Sequence, residues 1–128
     1  MHGAWLVASV LLTLLTLASC ATTRGVPIPI TDFRQIAGAW HGWVPSTSGP
    51  QLRASLVVET DGKYLLAVER NPAYPGHFML ERDGLRYGEG TTGFWRGKAT
   101  LSEDRGRQYL RFVHDTGAFW MECERARP

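Results

Sequence analysis

The chain has 128 residues, of which 44% are hydrophobic and 20% are charged, and its formal net charge is +2. Such a length suits one domain once an N-terminal signal segment is set aside. Acidic and basic residues alternate, as between Glu59 and Arg70, and the sequence contains no basic cluster of the kind that binds nucleic acid. Composition and charge therefore predict one small globular domain without a nucleic-acid partner.

An uncharged apolar run covers residues 4–18 and overlaps the tetrapeptide Leu17-Ala18-Ser19-Cys20. The run has the length of a signal-peptide core and is shorter than the roughly 20 apolar residues of a membrane-spanning helix. The tetrapeptide resembles the lipobox of bacterial lipoprotein precursors. This resemblance implies that the signal peptide 1–19 is removed and that Cys20 receives a diacylglyceryl group and an amide-linked acyl chain such as palmitate.

Several acyl chains on Cys20 would hold the mature protein stably in a bilayer. By the same resemblance, the absence of an acidic residue at Ala21 favours the outer membrane over the inner one, with the protein facing the periplasm. The residues before the apolar run contain no Lys or Arg, although such signals usually begin with a positive charge. The alternative is an uncleaved signal anchor in which Cys20 is an incidental thiol.

The mature chain is predicted to begin with a tether over residues 20–30, because residues 21–29 are small, polar and contain prolines. A β-domain is predicted over residues 31–128. At its start, Thr31 or Asp32 can cap a short helical turn that ends before Gly38.

Every later segment has the pattern of a strand. Eight segments rich in Val, Leu and aromatic residues are separated by turn residues, and they cover residues 39–44, 51–60, 63–70, 77–82, 85–89, 94–102, 107–114 and 118–124. The dipeptide Asp61-Gly62 is typical of a two-residue hairpin turn. Residues 71–76 are predicted to be a loop, because their two prolines do not fit a hydrogen-bonded ladder.

Eight sequential strands with short connections favour an up-and-down antiparallel β-barrel, since closure removes the exposed edges of the sheet. A two-layer antiparallel sandwich is the alternative. The tripeptide Gly38-Ala39-Trp40 is similar to the Gly-x-Trp signature of lipocalins and avidin-like barrels. That resemblance implies that Trp40 packs across the floor of the barrel, with a basic side chain of a late strand, Arg111 or Arg125, stacked on it.

The sequence offers no catalytic or metal-binding motif. Its serines are not in a Gly-x-Ser-x-Gly elbow, and most of its aspartates are in predicted turns. The histidines of the mature chain, His41, His77 and His114, lie too far apart to place two ligands on one strand. Cys123 alternates in phase with Met121, which predicts a buried and unreactive thiol. We therefore expect no enzymatic activity, metal or cofactor.

The inward-facing positions of the predicted strands form an apolar lining. Its members are Trp40, Leu56, Val58, Phe78, Leu80, Tyr87, Trp95, Leu110, Phe112, Phe119 and Met121. One interpretation is a filled core. The other is a cleft at an open end that binds a small apolar or amphipathic molecule. Its candidate contact residues are Trp40, Trp43, Tyr74, Phe78, Tyr87, Trp95 and Phe112, with Trp43 and Tyr74 at the rim.

Three functions are compatible with these predictions. The first is binding of a small apolar ligand near the membrane. The second is an envelope interaction module, in which a filled barrel presents its surface to a protein partner. The third is a periplasmic enzyme inhibitor, for which the loop 46–51 is the candidate inhibitory segment.

Overall fold

The computed structural model describes residues 25–45, 49–88 and 96–127. The signal segment 1–19, Cys20 and Trp95 lie outside the described residues. Within the described part, no helix has the length and hydropathy needed to cross a membrane. That part is all-β, with one short 3-10 helix at Phe33–Gln35. Its ten strands are β1 (Val26–Ile28), β2 (Gly38–Val44), β3 (Leu52–Val58), β4 (Lys63–Val68), β5 (Tyr74–His77), β6 (Met79–Glu81), β7 (Gly84–Tyr87), β8 (Gly97–Asp104), β9 (Arg107–His114) and β10 (Phe119–Arg125).

The strands form a nearly closed antiparallel barrel. Their hydrogen-bonded order is β5-β4-β3-β2-β10-β9-β8-β7-β6. Because β5 and β6 are separated only by Phe78, the two ends of this order belong to one extended segment. The wall therefore has eight positions, occupied in order by β2, β3, β4, the β5–β6 segment, β7, β8, β9 and β10. The predicted up-and-down barrel is confirmed, and pairing of β2 with β10 closes it.

The prediction of a loop over residues 71–76 is wrong for the second half of that segment. Tyr74–His77 forms β5, in which Pro75 lies opposite Leu65 of β4. This strand is hydrogen-bonded on one side only, since β5 stands at one end of the strand order. A proline that faces an unbonded side removes no ladder hydrogen bond, so the sheet tolerates it there.

The predicted tether also proves shorter, because Val26–Ile28 forms β1 and pairs with β8. The ladder between β7 and β8 extends only to Ala99, and β1 continues along the same strand opposite residues 101–103. Backbone groups of β8 that β7 is too short to reach thus find partners in β1.

The short helical turn is confirmed at Phe33–Gln35, with Asp32 as its N-cap. The Asp32 carboxylate accepts the Arg34 backbone N–H at 2.8 Å, and the Gln35 side chain accepts the Asp32 N–H at 2.9 Å. The Arg34 guanidinium also bonds that carboxylate, and these hydrogen bonds lower the pKa of Asp32 to about 2. The helix lies beside the first residues of β2, and this end of the barrel is called the closed end below.

Alternation along the strands directs one apolar face inward, where it forms a single core. The prediction that Leu80 and Phe119 line the interior is wrong, because Leu80 is 37% and Phe119 is 42% exposed. Leu80 faces the same side as its buried partner Leu85, but it stands on a short strand at the end of the wall. Phe119 is turned outward because the ladder between β9 and β10 shifts register between Phe119 and Met121.

Candidate ligand-binding site

A cavity of about 490 Å³ lies inside the barrel wall. One lining residue, His77, has its ring 6.2 Å from that of Phe33 in the 3-10 helix, and the cavity extends from there to Tyr87 and Trp120, at the opposite end of the barrel, which we call the open end. Side chains from β3, β4, β5, β7, β9 and β10 surround it. The described lining residues are Leu56, Lys63, Tyr64, Leu66, Tyr74, Pro75, Gly76, His77, Tyr87, Gly88, Phe112, Trp120 and Met121. Most of them are apolar or aromatic, as is typical of sites for small organic ligands.

Three aromatic rings form one wall of the cavity. The ring centroids of Tyr87 and Phe112 are 5.2 Å apart in an edge-to-face arrangement, and Trp120 lies 5.9 Å from the first and 5.8 Å from the second. Trp120 joins this group because it is the extra residue of the β10 irregularity. Strict alternation would have placed its side chain on the opposite face from Met121, and the sequence carries no signal for the shift.

Three phenols line the cavity, those of Tyr64, Tyr74 and Tyr87. The hydroxyl oxygen of Tyr87 accepts a hydrogen bond from the Trp120 indole N–H at 2.5 Å. The backbone of Gly88 lies near the Tyr64 hydroxyl and lowers its pKa, against the larger effect of burial. Burial raises the pKa of Tyr87 to about 12 and also raises the pKa of Tyr64. These two phenols therefore keep their protons at neutral pH.

The cavity lies along the seam between β5 and β7, which are not neighbours in the described strand order. The Tyr64 ring lies over Gly76 of β5, and a Cβ atom built there would lie 2.1 Å from the Cζ atom of that ring. From this position Tyr64 reaches Gly88 at the end of β7. The tyrosine thus links the two sides of the seam, and the absence of a side chain at Gly76 makes room for it.

The closed end is built around Trp40, which is fully buried. Its indole N–H donates to the Ile36 carbonyl at 2.8 Å, and the Arg125 guanidinium lies 4.3 Å from the centre of its ring. The guanidinium also donates to the carbonyls of Ala37, at 2.7 Å, and Gln35. Arg125, one of the two basic residues predicted to stack on Trp40, therefore ties the last strand to the 3-10 helix across the tryptophan. Arg111 instead stacks on Phe119.

The structure brings together three of the predicted contact residues and separates the others. Tyr74, Tyr87 and Phe112 line the cavity. Phe78 is buried behind them, with its ring 4.5 Å from that of Tyr64, and Trp40 belongs to the closed end. Trp95 lies outside the described residues. The sequence-based prediction missed Tyr64, Leu66 and Trp120.

Trp43 does not line the cavity. It stands three residues after Trp40 in the same strand, so the two side chains face opposite sides of the wall. Trp43 is 48% exposed on the outer surface, where the Arg53 guanidinium lies 5.5 Å from its ring centre.

Among the described residues, no group of three His, Cys, Asp or Glu side chains is placed to hold a metal ion. Cys123 is buried in the core, and burial raises its pKa to about 12. A thiol with such a pKa contains almost no thiolate at neutral pH and is a poor nucleophile.

The outer surface carries an apolar row across four strands. Ala39, Val57, Leu65 and Pro75 are consecutive cross-strand partners from β2 to β5, and all four are exposed. Val57 is 52% and Leu65 is 49% exposed. Beside this row lies an open groove of about 930 Å³ with Arg53, Arg107 and Arg127 at its edges. We favour the smaller cavity as the ligand site, because more of its described lining residues are buried than in the groove, where only Ala54 and Val68 are.

No protein-family model, no curated protein and no solved structure matches this chain. Its function must therefore be inferred from the geometry and chemistry of the cavity and from the motifs of the sequence.

Proposed function

We propose that this protein is a non-enzymatic lipoprotein of the bacterial cell envelope, anchored through Cys20 and facing the periplasm from the outer membrane, whose barrel binds a small apolar or amphipathic molecule. The observation that carries this proposal is the aromatic cavity of about 490 Å³ at the open end. Its volume lies within the range of roughly 300–1,000 Å³ that is usual for small-molecule sites. Its walls belong to paired strands, so the site is held by the fold itself.

The closed end supports the same proposal. Trp40, Arg125 and the 3-10 helix brace one end of the barrel, so the other end can retain an empty volume without loss of the whole core. Lipocalins, which the Gly-x-Trp motif resembles, divide their barrels in this way between a closed floor and an open ligand site.

Native mass spectrometry of the mature protein, released gently from its own envelope, tests ligand binding. We expect a reproducible added mass that disappears on denaturation. Leu66→Trp should abolish the added mass, because residue 66 points into the cavity, whereas Leu65→Trp on the outer face should retain it. A bare chain mass for the unsubstituted protein would contradict the proposal.

The anchor is tested through the two cysteines of the chain. Cells supplied with labelled palmitate should incorporate the label into the unsubstituted protein and into Cys123→Ala, because Cys123 is buried in the core. Cys20→Ala should incorporate none and should retain the mass of the unprocessed precursor. Incorporation of the label into Cys20→Ala at the level of the unsubstituted protein would contradict the lipobox assignment.

The position of β1 gives the anchored protein an orientation. Val26 lies opposite Glu103, close to the turn between β8 and β9 at the closed end. Six residue steps separate Cys20 from Val26, and such a chain spans at most about 20 Å. A lipid on Cys20 would therefore hold the closed end near the membrane and leave the open end directed away from it.

A second function is favoured by one observation, the exposed apolar row of Ala39, Val57, Leu65 and Pro75 on the outer face. Such a row is a candidate surface for an envelope protein partner. If the native mass spectrum shows the protein without any added mass, this surface becomes the favoured functional site. The inhibitor hypothesis depends on the loop 46–51, of which residues 46–48 lie outside the described residues.

A further inference from the structure

Among the phenols that line the cavity, that of Tyr87 has an oxygen already engaged as an acceptor. Tyr87 accepts from the indole N–H of Trp120. Among residues 25–45, 49–88 and 96–127, no acceptor is bonded to the hydroxyl hydrogen of Tyr87. A phenol that accepts one hydrogen bond can still donate its own hydrogen. The Tyr87 hydroxyl lies beside Gly97 of β8, where a Cβ atom would be 2.5 Å from its oxygen, and its hydrogen remains available to an acceptor in the cavity that Tyr87 lines.

The described walls contain few groups that could offset the loss of hydration of a charged ligand. The inward positions are hydrocarbon, aromatic or phenolic, and the cationic or basic lining residues, Lys63 and His77, are exposed partners on the outer face of β4 and β5. Moving a carboxylate into such surroundings without a cation has a large unfavourable free energy of desolvation. A neutral acceptor such as a carbonyl oxygen needs only the phenolic hydrogen.

The shape of the cavity indicates the body of the ligand. Tyr87, Phe112 and Trp120 form a continuous aromatic wall, and Met121 and Leu66 extend its apolar surface. Aromatic side chains pack well against other ring systems through offset or edge-to-face contacts.

From these features we infer that the ligand is an uncharged molecule with an aromatic or other planar apolar body and a carbonyl oxygen, and that Tyr87 donates a hydrogen bond to this oxygen. The inference rests on the proposed ligand-binding function and adds the chemical class of the ligand. Tyr64 is a second donor on the opposite side of the same cavity.

Two matched probes test the inference, benzophenone and 1,1-diphenylethylene, which differ only in having a carbonyl oxygen or a methylene group. Their dissociation constants are measured by titration calorimetry with the full mature protein in detergent. The ratio of the two constants is then compared between protein variants, so that partitioning of the probes into detergent cancels. Relative to Tyr87→Phe, the unsubstituted protein should favour benzophenone about fivefold, the usual effect of one neutral hydrogen bond.

Tyr109→Phe is the matched control, because Tyr109 is buried outside the cavity and should leave the ratio unchanged. Tyr64→Phe provides a second cavity variant should Tyr87→Phe fail to fold, and we expect a smaller decrease of the ratio in the same direction. A ratio that is the same in the unsubstituted protein and in both cavity variants would overturn this inference alone. Binding of neither probe to the unsubstituted protein would overturn the ligand-binding proposal as well.

Discussion

Replacing Trp40 by alanine should lower the free energy of unfolding by about 3–5 kcal/mol, the usual cost of truncating a buried aromatic side chain. Trp40 is fully buried, and its removal would also leave the Ile36 carbonyl without the indole donor. The Arg125 guanidinium would lose the ring on which it lies. The change thus removes the centre of the closed end, while the Arg125 hydrogen bonds to the Gln35 and Ala37 carbonyls do not involve Trp40.

Trp43→Ala is the matched control, since it removes the same side chain from the same strand on the outer face. We expect it to cost about 1 kcal/mol or less, because Trp43 is 48% exposed. Urea-induced unfolding, followed by circular dichroism, gives both values. Equal losses of stability in the two variants would show that the Trp40–Arg125 arrangement does not brace the barrel.

The strands of the barrel could be predicted from the sequence because strand periodicity and hairpin turns are local properties. Alternation in residues such as Leu56 and Val58 identifies the inner face, and Asp61-Gly62 marks a hairpin, whose loop has the three residues 60–62 rather than the two predicted. The other positions that were mispredicted depend on neighbours distant in sequence. Pro75 is tolerated because β5 is bonded on one side only, and β1 forms because β8 is longer than β7.

The cavity was only partly predictable for a similar reason. Tyr87 and Phe112 were identified from alternation, which their strands obey. Tyr74 was predicted as a rim residue of the loop 71–76 and instead lies in β5. Trp120 was not, because a single extra residue in β10 reverses the inside and outside positions before Met121. The hydrogen bond from the Trp120 indole to Tyr87 joins residues that are 33 positions apart, and no spacing rule relates them.

Gly42→Ala should open the seam at which β2 and β10 close the barrel, and it should cost about 3 kcal/mol, the upper part of the range for overpacked sites. A Cβ atom at residue 42 would lie 2.2 Å from the Glu122 carbonyl oxygen and 2.8 Å from the Cys123 sulfur. The first of these atoms belongs to the backbone of the paired strand. Relief therefore requires the two strands to move apart, because no side-chain rotation can provide it.

Gly49→Ala is the control for this substitution. Nothing lies within 4 Å of a Cβ atom built at Gly49, so the control makes the same chemical change without a steric contact. Urea-induced unfolding measures the loss of stability, and hydrogen exchange locates it. In Gly42→Ala, amides of β2 and β10 should exchange faster than in the unsubstituted protein, whereas those of the ladder between β7 and β8 should keep their rates. Uniformly faster exchange throughout the barrel would mean that the damage is global, and that pairing of β2 with β10 is not a separable closing seam.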